Sequence, residues 1–373
     1  MNHMNIAFDA SDICAGKADG TTRYTRELMK RLPELSKEDN WDFYGPTSPH
    51  PLPVRREGNS AWHSIPSPFA WTQTRFMYEL LRHTPDVLFM PIQQLPIFRW
   101  PKMKTIAVIH DLAFHEYHQQ FTYKHWALLH IFSAQVAKEA DTIIAVSEAT
   151  KQDIAKYYGR TKNVYVIHHG IDHARFRIFS DQEKQASFKK LQEKYPEIKN
   201  NYILFVGQIQ PRKNIGRLIE AFEQLEHTDY RLVIAGGHGW NNKEIYDRIE
   251  SSPRRKDILV TGAVPEELLP TLYANASVFA LPSLQEGFGI PALEAAACGV
   301  PVVTSNCSST KEIMEGAGIL IDPLSVESIA SGIQEALSNH DAVAEACTTR
   351  AQQFSWDITA QETLRIIKEV TSL

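Results

Sequence analysis

The chain has 373 residues, 43% of them hydrophobic and 22% charged, and its 39 basic and 44 acidic side chains leave a net charge of −5. That length suits roughly two to three domains with sizeable cores, and the composition excludes a disordered, collagenous or disulfide-stapled chain. The negative balance argues against a nucleic-acid protein, because duplex binding asks for a basic field.

Taken in chain order, Asn5–Phe8, Val87–Met90, Thr105–Ile109, Thr142–Val146 and Val164–Ile167 are short apolar runs of buried-strand type. Between them helical periodicity covers Thr21–Leu32, Thr72–Arg82, Phe121–Lys138 and Glu148–Tyr158, with Ser147 placed to cap the last. Gly45–Pro68, rich in Pro, Ser and His, reads as a mobile loop. After Phe176 the pattern breaks into a charged stretch, read as a linker with a short helix, 177–201. It then restarts, with strands at Tyr202–Val206, Arg231–Ala235, Ile258–Val260, Ser277–Leu281, Val300–Thr304 and Gly318–Ile321. Helices are expected at Ile215–Leu225, Glu244–Ile249, Glu266–Asn275, Pro291–Cys298 and Val326–Leu337, and Ala342–Gln353 and Asp357–Val370 close the chain.

Strand-then-helix alternation implies parallel sheets covered by helices on both faces. The expected class is α/β, with two doubly wound, Rossmann-like domains facing across a cleft. The expected boundaries are 1–176 for a first domain, 177–201 for the linker and 202–354 for a second domain, with 355–373 a closing helix that packs back on the first domain. The charge distribution agrees with two different halves. Residues 1–175 carry 20 basic and 18 acidic side chains and 12 of the 15 histidines, and the remainder has a net charge of −7.

Cys14, Cys298, Cys307 and Cys347 lack zinc-knuckle or redox spacing and read as free thiols. No segment has the pattern of a signal peptide, and the apolar run 292–303 is too short to span a bilayer. A soluble, cytoplasmic protein is expected, with peripheral membrane contact open: Arg55-Arg56 and Arg99-Trp100-Pro101-Lys102 could touch an anionic surface or form a solvated face.

The densest chemical signal is Pro282-Ser283-Leu284-Gln285-Glu286-Gly287-Phe288-Gly289-Ile290-Pro291-Ala292-Leu293-Glu294. It runs from a strand through two glycines into a helix start, where free N–H groups and the helix dipole favour an anion. Glu294 could accept both hydroxyls of a ribose, as the acid of a dinucleotide fold does. Alone, it could equally be a helix-stabilising acid; beside Glu286, Gly287 and Gly289 the binding role is preferred. The second signal, Gly207-Gln208-Ile209-Gln210-Pro211-Arg212-Lys213-Asn214, also joins a strand to a helix. Two cations before a helix oppose its dipole, so stability gives them little reason to be there, whereas a diphosphate would. Weaker signals are His110-Asp111 at a strand end and Asp19-Gly20-Thr21-Thr22-Arg23-Tyr24 before the first helix. Asp-x-Asp, HExxH, GxSxG, Walker A and GxGxxG are all missing from the sequence, so no metal or cofactor is expected.

These stretches resemble the family-4 glycosyltransferases of GT-B architecture. The Glu286–Glu294 pair matches the family's paired glutamates, and Pro211-Arg212-Lys213-Asn214 its basic donor loop. Arg23–Leu28, Val108–Asp111, Ala145–Glu148, His169–Asp172 and Gly299–Val303 add to the likeness, which runs nearly end to end. The resemblance implies transfer of a sugar from a nucleotide sugar to a hydroxyl with retained anomeric configuration. Arg212 and Lys213 would then hold the diphosphate, and Glu294 the ribose. Glu286 would contact the donor sugar, with Gly287, Phe288, Gly289 and Ile290 offering backbone groups and Gly207 opening the basic loop. His110 would lie near the donor sugar, and Gly20 would line the cleft. The nearest likeness is to mannosyltransferases, so GDP-mannose is the expected donor and a glycan or lipid-linked hydroxyl the acceptor. Two departures stand out: Thr21-Thr22 replace a second glycine, and His169 stands where the family often has Asn. A sugar-nucleotide epimerase of the same fold, or a non-catalytic nucleotide-sugar-binding subunit, are the alternatives.

Overall fold

The computed structural model describes residues 3–15, 20–49, 58–67, 69–117, 122–226 and 229–372. Asp19, Arg55 and Arg56 lie outside these, as do 50–57 and Pro68 of the stretch Gly45–Pro68. The chain divides by contact into two compact units. One comprises Met1–Phe114, Thr122–Gly170 and Trp356–Leu373; the other comprises His115–Phe121 and Ile171–Ser355.

In the first unit the elements are β1 (Asn5–Asp9), α1 (Gly20–Leu35), β2 (Asn40–Gly45), β3 (Ser60–Ser64), α2 (Arg75–His83), β4 (Val87–Met90), β5 (Lys104–Ile109), α3 (Tyr123–Glu139), β6 (Thr142–Ala145), α4 (Glu148–Tyr158) and β7 (Val164–Val166). The sheet has seven parallel strands in the order β3-β2-β1-β4-β5-β6-β7. The central strands β4 and β6 are buried along their whole length, as a sheet covered on both faces requires. Ser147 caps α4 by accepting from the Thr150 N–H, and Gly159 ends it in the left-handed conformation.

Two strands depart from the sequence expectation. β2 is buried at Trp41 and Phe43–Gly45, and β3 is a half-exposed edge strand, Ser-Ala-Trp-His-Ser, without an apolar run. Part of the stretch read as a loop is thus the sheet's edge, paired in register with β2.

The second unit holds α5 (Asp181–Lys194), β8 (Tyr202–Val206), α6 (Ile215–Glu223), β9 (Arg231–Ala235), α7 (Lys243–Glu250), β10 (Ile258–Gly262), α8 (Leu269–Ala274), β11 (Val278–Leu281), α9 (Ile290–Ala297), β12 (Val302–Ser305), α10 (Ser308–Met314), β13 (Ile319–Ile321), α11 (Val326–Ser338) and α12 (His340–Ala351). Its six strands run parallel in the order β10-β9-β8-β11-β12-β13. The stretch 177–201 carries α5, started by a reciprocal Ser180–Glu183 capping box and packed on α8.

The last helix, α13 (Trp356–Ser372), belongs to the first unit. Its apolar face, including Trp356, Ala360, Ile366 and Ile367, packs on α1, and Arg31 donates to Asp357 at 2.6 Å. Both units are therefore doubly wound α/β layers. Each strand order reverses beside its first strand, β1/β4 in one and β8/β11 in the other. Open α/β sheets take ligands at that reversal, beyond the carboxyl ends of the strands.

Candidate active site

The two strongest sequence motifs leave the carboxyl ends of β8 and β11, the strands on either side of the reversal in the second unit. Beyond β8 the chain keeps pairing with the chain after β9: Gly207 N–H donates to the Ala235 carbonyl, Ile209 to Gly237 and Gly239 to Ile209. This approach leaves no room for side chains. A Cβ on Gly236 would stand 1.8 Å from the Gly207 carbonyl oxygen, and one on Gly239 would stand 2.7 Å from that of Ile209.

Pro211–Lys213 then form one tight helical turn, ended by Asn214 at φ +58°, a left-handed conformation that Asn tolerates. The Asn214 amide donates to the carbonyls of Pro282 (3.0 Å) and Pro323 (2.6 Å), and Leu284 N–H donates to the Arg212 carbonyl. The basic loop is thereby stitched to the glutamate loop.

Across that seam the charges meet. Lys213 Nζ donates to Glu286 Oε1 at 2.5 Å, and Arg212 Nη1 lies 3.4 Å from Oε2 while also donating to the Gln285 carbonyl. Ser283 Oγ donates to Oε1 at 2.6 Å. The Glu286 carbonyl accepts from Ser308 (2.6 Å) and Ser309 (2.9 Å), which fixes the backbone as well. The lysine and carboxylate side chains are only 10% and 8% exposed, so this is a buried ion pair. Burial alone would raise the Glu286 carboxyl, but the Lys213 and Arg212 charges outweigh it and hold the group at about 2.

Gly289, at φ +100°, turns the chain into α9, with Pro291 in its first turn. Phe288 is buried edge-on against Phe354, so only its backbone is available to a ligand. Glu294 sits on the fifth residue of α9, 3% exposed, and accepts from the Tyr273 hydroxyl at 2.9 Å.

His110 and Gly20 belong to the first unit. Gly20 is exposed and opens α1. His110 follows β5, and its Nε2–H donates to the Pro91 carbonyl at 2.7 Å. The His110 ring stands edge-on to Tyr24 and His169. His169 stacks on Tyr24 and tilts against Trp356. Burial, then the neighbouring His110, His168 and Arg23, push the His169 imidazole well below its ordinary range, so it is neutral.

Sequence reasoning overlooked Tyr273, the Ser283–Ser308–Ser309 hydroxyls and the close-approach glycines Gly236 and Gly239. The Ser-Ser-Thr run at the carboxyl end of β12, next to β11, is the signal that could have found the hydroxyls.

Comparison with known proteins gives the family. Residues 18–175 match the Glycosyltransferase Family 4 model and residues 187–354 the Glycosyl transferases group 1 model. The O-antigen chain mannosyltransferase B of Escherichia coli is 31% identical over 375 residues, covering 94% of this chain and 96% of that protein. The chain belongs to the family-4, group-1 glycosyltransferases. Among solved structures, sucrose-phosphate synthase from Thermosynechococcus elongatus matches with a TM-score of 0.79 at 18% identity, over 99% of this chain and all of that one. Anabaena HepE in complex with UDP-glucose matches with a TM-score of 0.75 at 18% identity, over the full length of both. The fold is that of GT-B glycosyltransferases, and the protein is a transferase enzyme. Among the described residues, no group of three or more His, Cys, Asp or Glu side chains is placed to hold a metal ion.

Proposed function

We propose that this glycosyltransferase moves mannose from GDP-mannose to a hydroxyl of a glycan or lipid-linked acceptor, with retained anomeric configuration and without a metal. The observation that carries the proposal is the Arg212–Lys213–Glu286 cluster at the β8/β11 reversal, with Glu294 one turn into α9. The mannose assignment rests on the likeness to the Escherichia coli mannosyltransferase.

The chemistry follows from the charges. The C1–O bond to the β-phosphate breaks and its electron pair leaves on the diphosphate. Arg212 and Lys213 are preorganised for that charge, and an ammonium has three donors, so Lys213 can hold Glu286 and a phosphate oxygen together. Glu286 stays ionised at any working pH, so it serves the positive charge that builds on the sugar and cannot act as a general acid. A carboxylate so depressed in basicity, and already gripped by Lys213 and Ser283, is also a poor nucleophile. Attack therefore comes from the leaving-group face. The acceptor oxygen bonds C1 as its proton passes to a phosphate oxygen. His110 is assigned to a hydroxyl of the donor sugar.

The acceptor side is assigned to the first unit. Exposed Ile97, Phe98 and Trp100 with Lys102 in the same stretch, and Tyr78 flanked by Arg75 and Arg82, suit peripheral contact with an anionic membrane on the cytoplasmic side, while Arg99 is paired with Glu139. No helix among the described residues is long and apolar enough to cross a membrane.

The test is proton NMR of turnover with GDP-mannose and mannose-terminated oligosaccharides in EDTA. An α-linked product from the α-linked donor supports the proposal. A β-linked product, a strict metal requirement, donor epimerised without acceptor, or a mannosyl adduct trapped on Glu286 each overturns part of it.

A further inference from the structure

Glu294 does not stand alone. Tyr273, on the short helix α8, is fully buried, and its hydroxyl donates to Glu294 Oε2 at 2.9 Å. The ring has no freedom to leave. It is held edge-on between Phe279 of β11 (5.6 Å, 62°) and Phe176 (5.9 Å, 71°). A phenol can only donate to a carboxylate, so this contact fixes the plane of the Glu294 carboxyl group and takes up one of its acceptor sites. A carboxylate has about four such sites, which leaves capacity for two further hydroxyl donors. A vicinal diol needs a carboxylate presented in one fixed orientation, because both hydrogen bonds form only when the two oxygens face it together.

We infer that Tyr273 is the positioning residue of the ribose subsite and sets the enzyme's preference for ribonucleotide over dideoxyribonucleotide donors. The inference rests on Glu294 being the ribose ligand, as proposed above. Tyr273 itself touches no substrate. It acts through the carboxylate, so its removal should be felt only by ligands that own the hydroxyls which Glu294 accepts.

The experiment is calorimetric titration with whichever of GDP or UDP binds the wild-type enzyme more tightly, and with the 2′,3′-dideoxy form of the same nucleotide. Tyr273→Phe keeps both ring contacts and removes one hydroxyl. It should weaken binding of the ribonucleotide several-fold, by loosening the carboxylate that meets the diol, and leave the dideoxynucleotide affinity unchanged. Equal losses for both ligands would mean a structural role and overturn the inference. In a Glu294→Ala background no carboxylate remains to be positioned or left buried, so adding Tyr273→Phe should cost nothing more. A further loss there also overturns it. Should Glu294→Ala alone leave the ratio of the two affinities at its wild-type value, it is the ribose assignment that falls.

Discussion

Replacing Lys213 with Ala probes the pair on which the site is built. The change removes the 2.5 Å partner of a carboxylate that is 8% exposed and leaves Arg212 at 3.4 Å and the Ser283 hydroxyl. Removing one side of a buried ion pair costs about 3–5 kcal/mol, because the other charge stays behind. The direction agrees with Glu286, whose carboxyl is, against its burial, held down by the Lys213 charge first and the Arg212 charge next. In a unit of this size each kcal/mol moves the melting point by about 2–4 °C, so Lys213→Ala should melt on the order of 10 °C below wild type. Differential scanning fluorimetry reads this directly. Lys213→Ala/Glu286→Gln, which removes both charges of the pair and leaves Arg212 on the Gln285 carbonyl, should recover part of the loss while remaining inactive. A single variant that melts within about 2 °C of wild type would refute the reasoning, since a buried carboxylate stripped of its nearest cation is expensive.

Glu286 also predicts acid behaviour. Its folded value lies below its unfolded one, so its stabilisation is complete above pH 4.5 and lost as pH falls through about 2; Glu286→Gln should flatten that limb of a stability–pH curve. Asp9 is the opposite case. It is buried at the end of β1, and its Oδ1 accepts from Ser11 while Oδ2 has no hydrogen-bond partner among the described residues. Burial outweighs the Ser11 bonds and raises it from 3.8 to about 6. The folded state then binds the proton more tightly, and the ionised form destabilises above pH 6, an effect relieved as pH falls from 6 towards 3.8. Asp9→Asn should therefore be more stable than wild type at pH 7–8, by about 3 kcal/mol at most, and equal to it below about pH 4; equal urea midpoints at pH 7.5 would contradict this. Arg212→Ala should lower kcat/KM roughly ten- to a hundredfold, the cost of about 1.5–3 kcal/mol for a charge-assisted contact, as read by release of nucleoside diphosphate. Gly236→Ala must push the Gly207 carbonyl aside and should cost most of the donor binding without touching any charged group; unchanged titrations would show that the two loops are not coupled as drawn.

The fold was legible wherever apolar runs and turn residues coincide. The all-buried strands β4, β6 and β11 announce themselves because both of their faces are covered. The edge strand β3 did not, because half of it faces solvent and its sequence carries no apolar run. α10 escaped because Ser308-Ser309-Thr310 looks like loop chemistry, and its hydroxyls are in fact spent on the Glu286 carbonyl and on neighbouring backbone. The site showed the same division. Arg212 and Lys213 stood out because cations before a helix oppose its dipole, and Glu286 and Glu294 because they bracket a two-glycine turn. Their pairing across β8 and β11 follows from strand order, which no local window of sequence contains. Tyr273 was invisible for that reason too: its partner lies 21 residues away on another helix.

The central claim is that Arg212, Lys213, Glu286 and Glu294 form a metal-free nucleotide-sugar site. Calorimetric titration of GDP-mannose into the enzyme in EDTA, alongside Glu294→Ala, tests it most directly. The account predicts saturable one-to-one binding in wild type and an affinity roughly ten- to a hundredfold lower in the variant. Binding that appears only with added divalent metal, or that Glu294→Ala leaves unchanged, would contradict it.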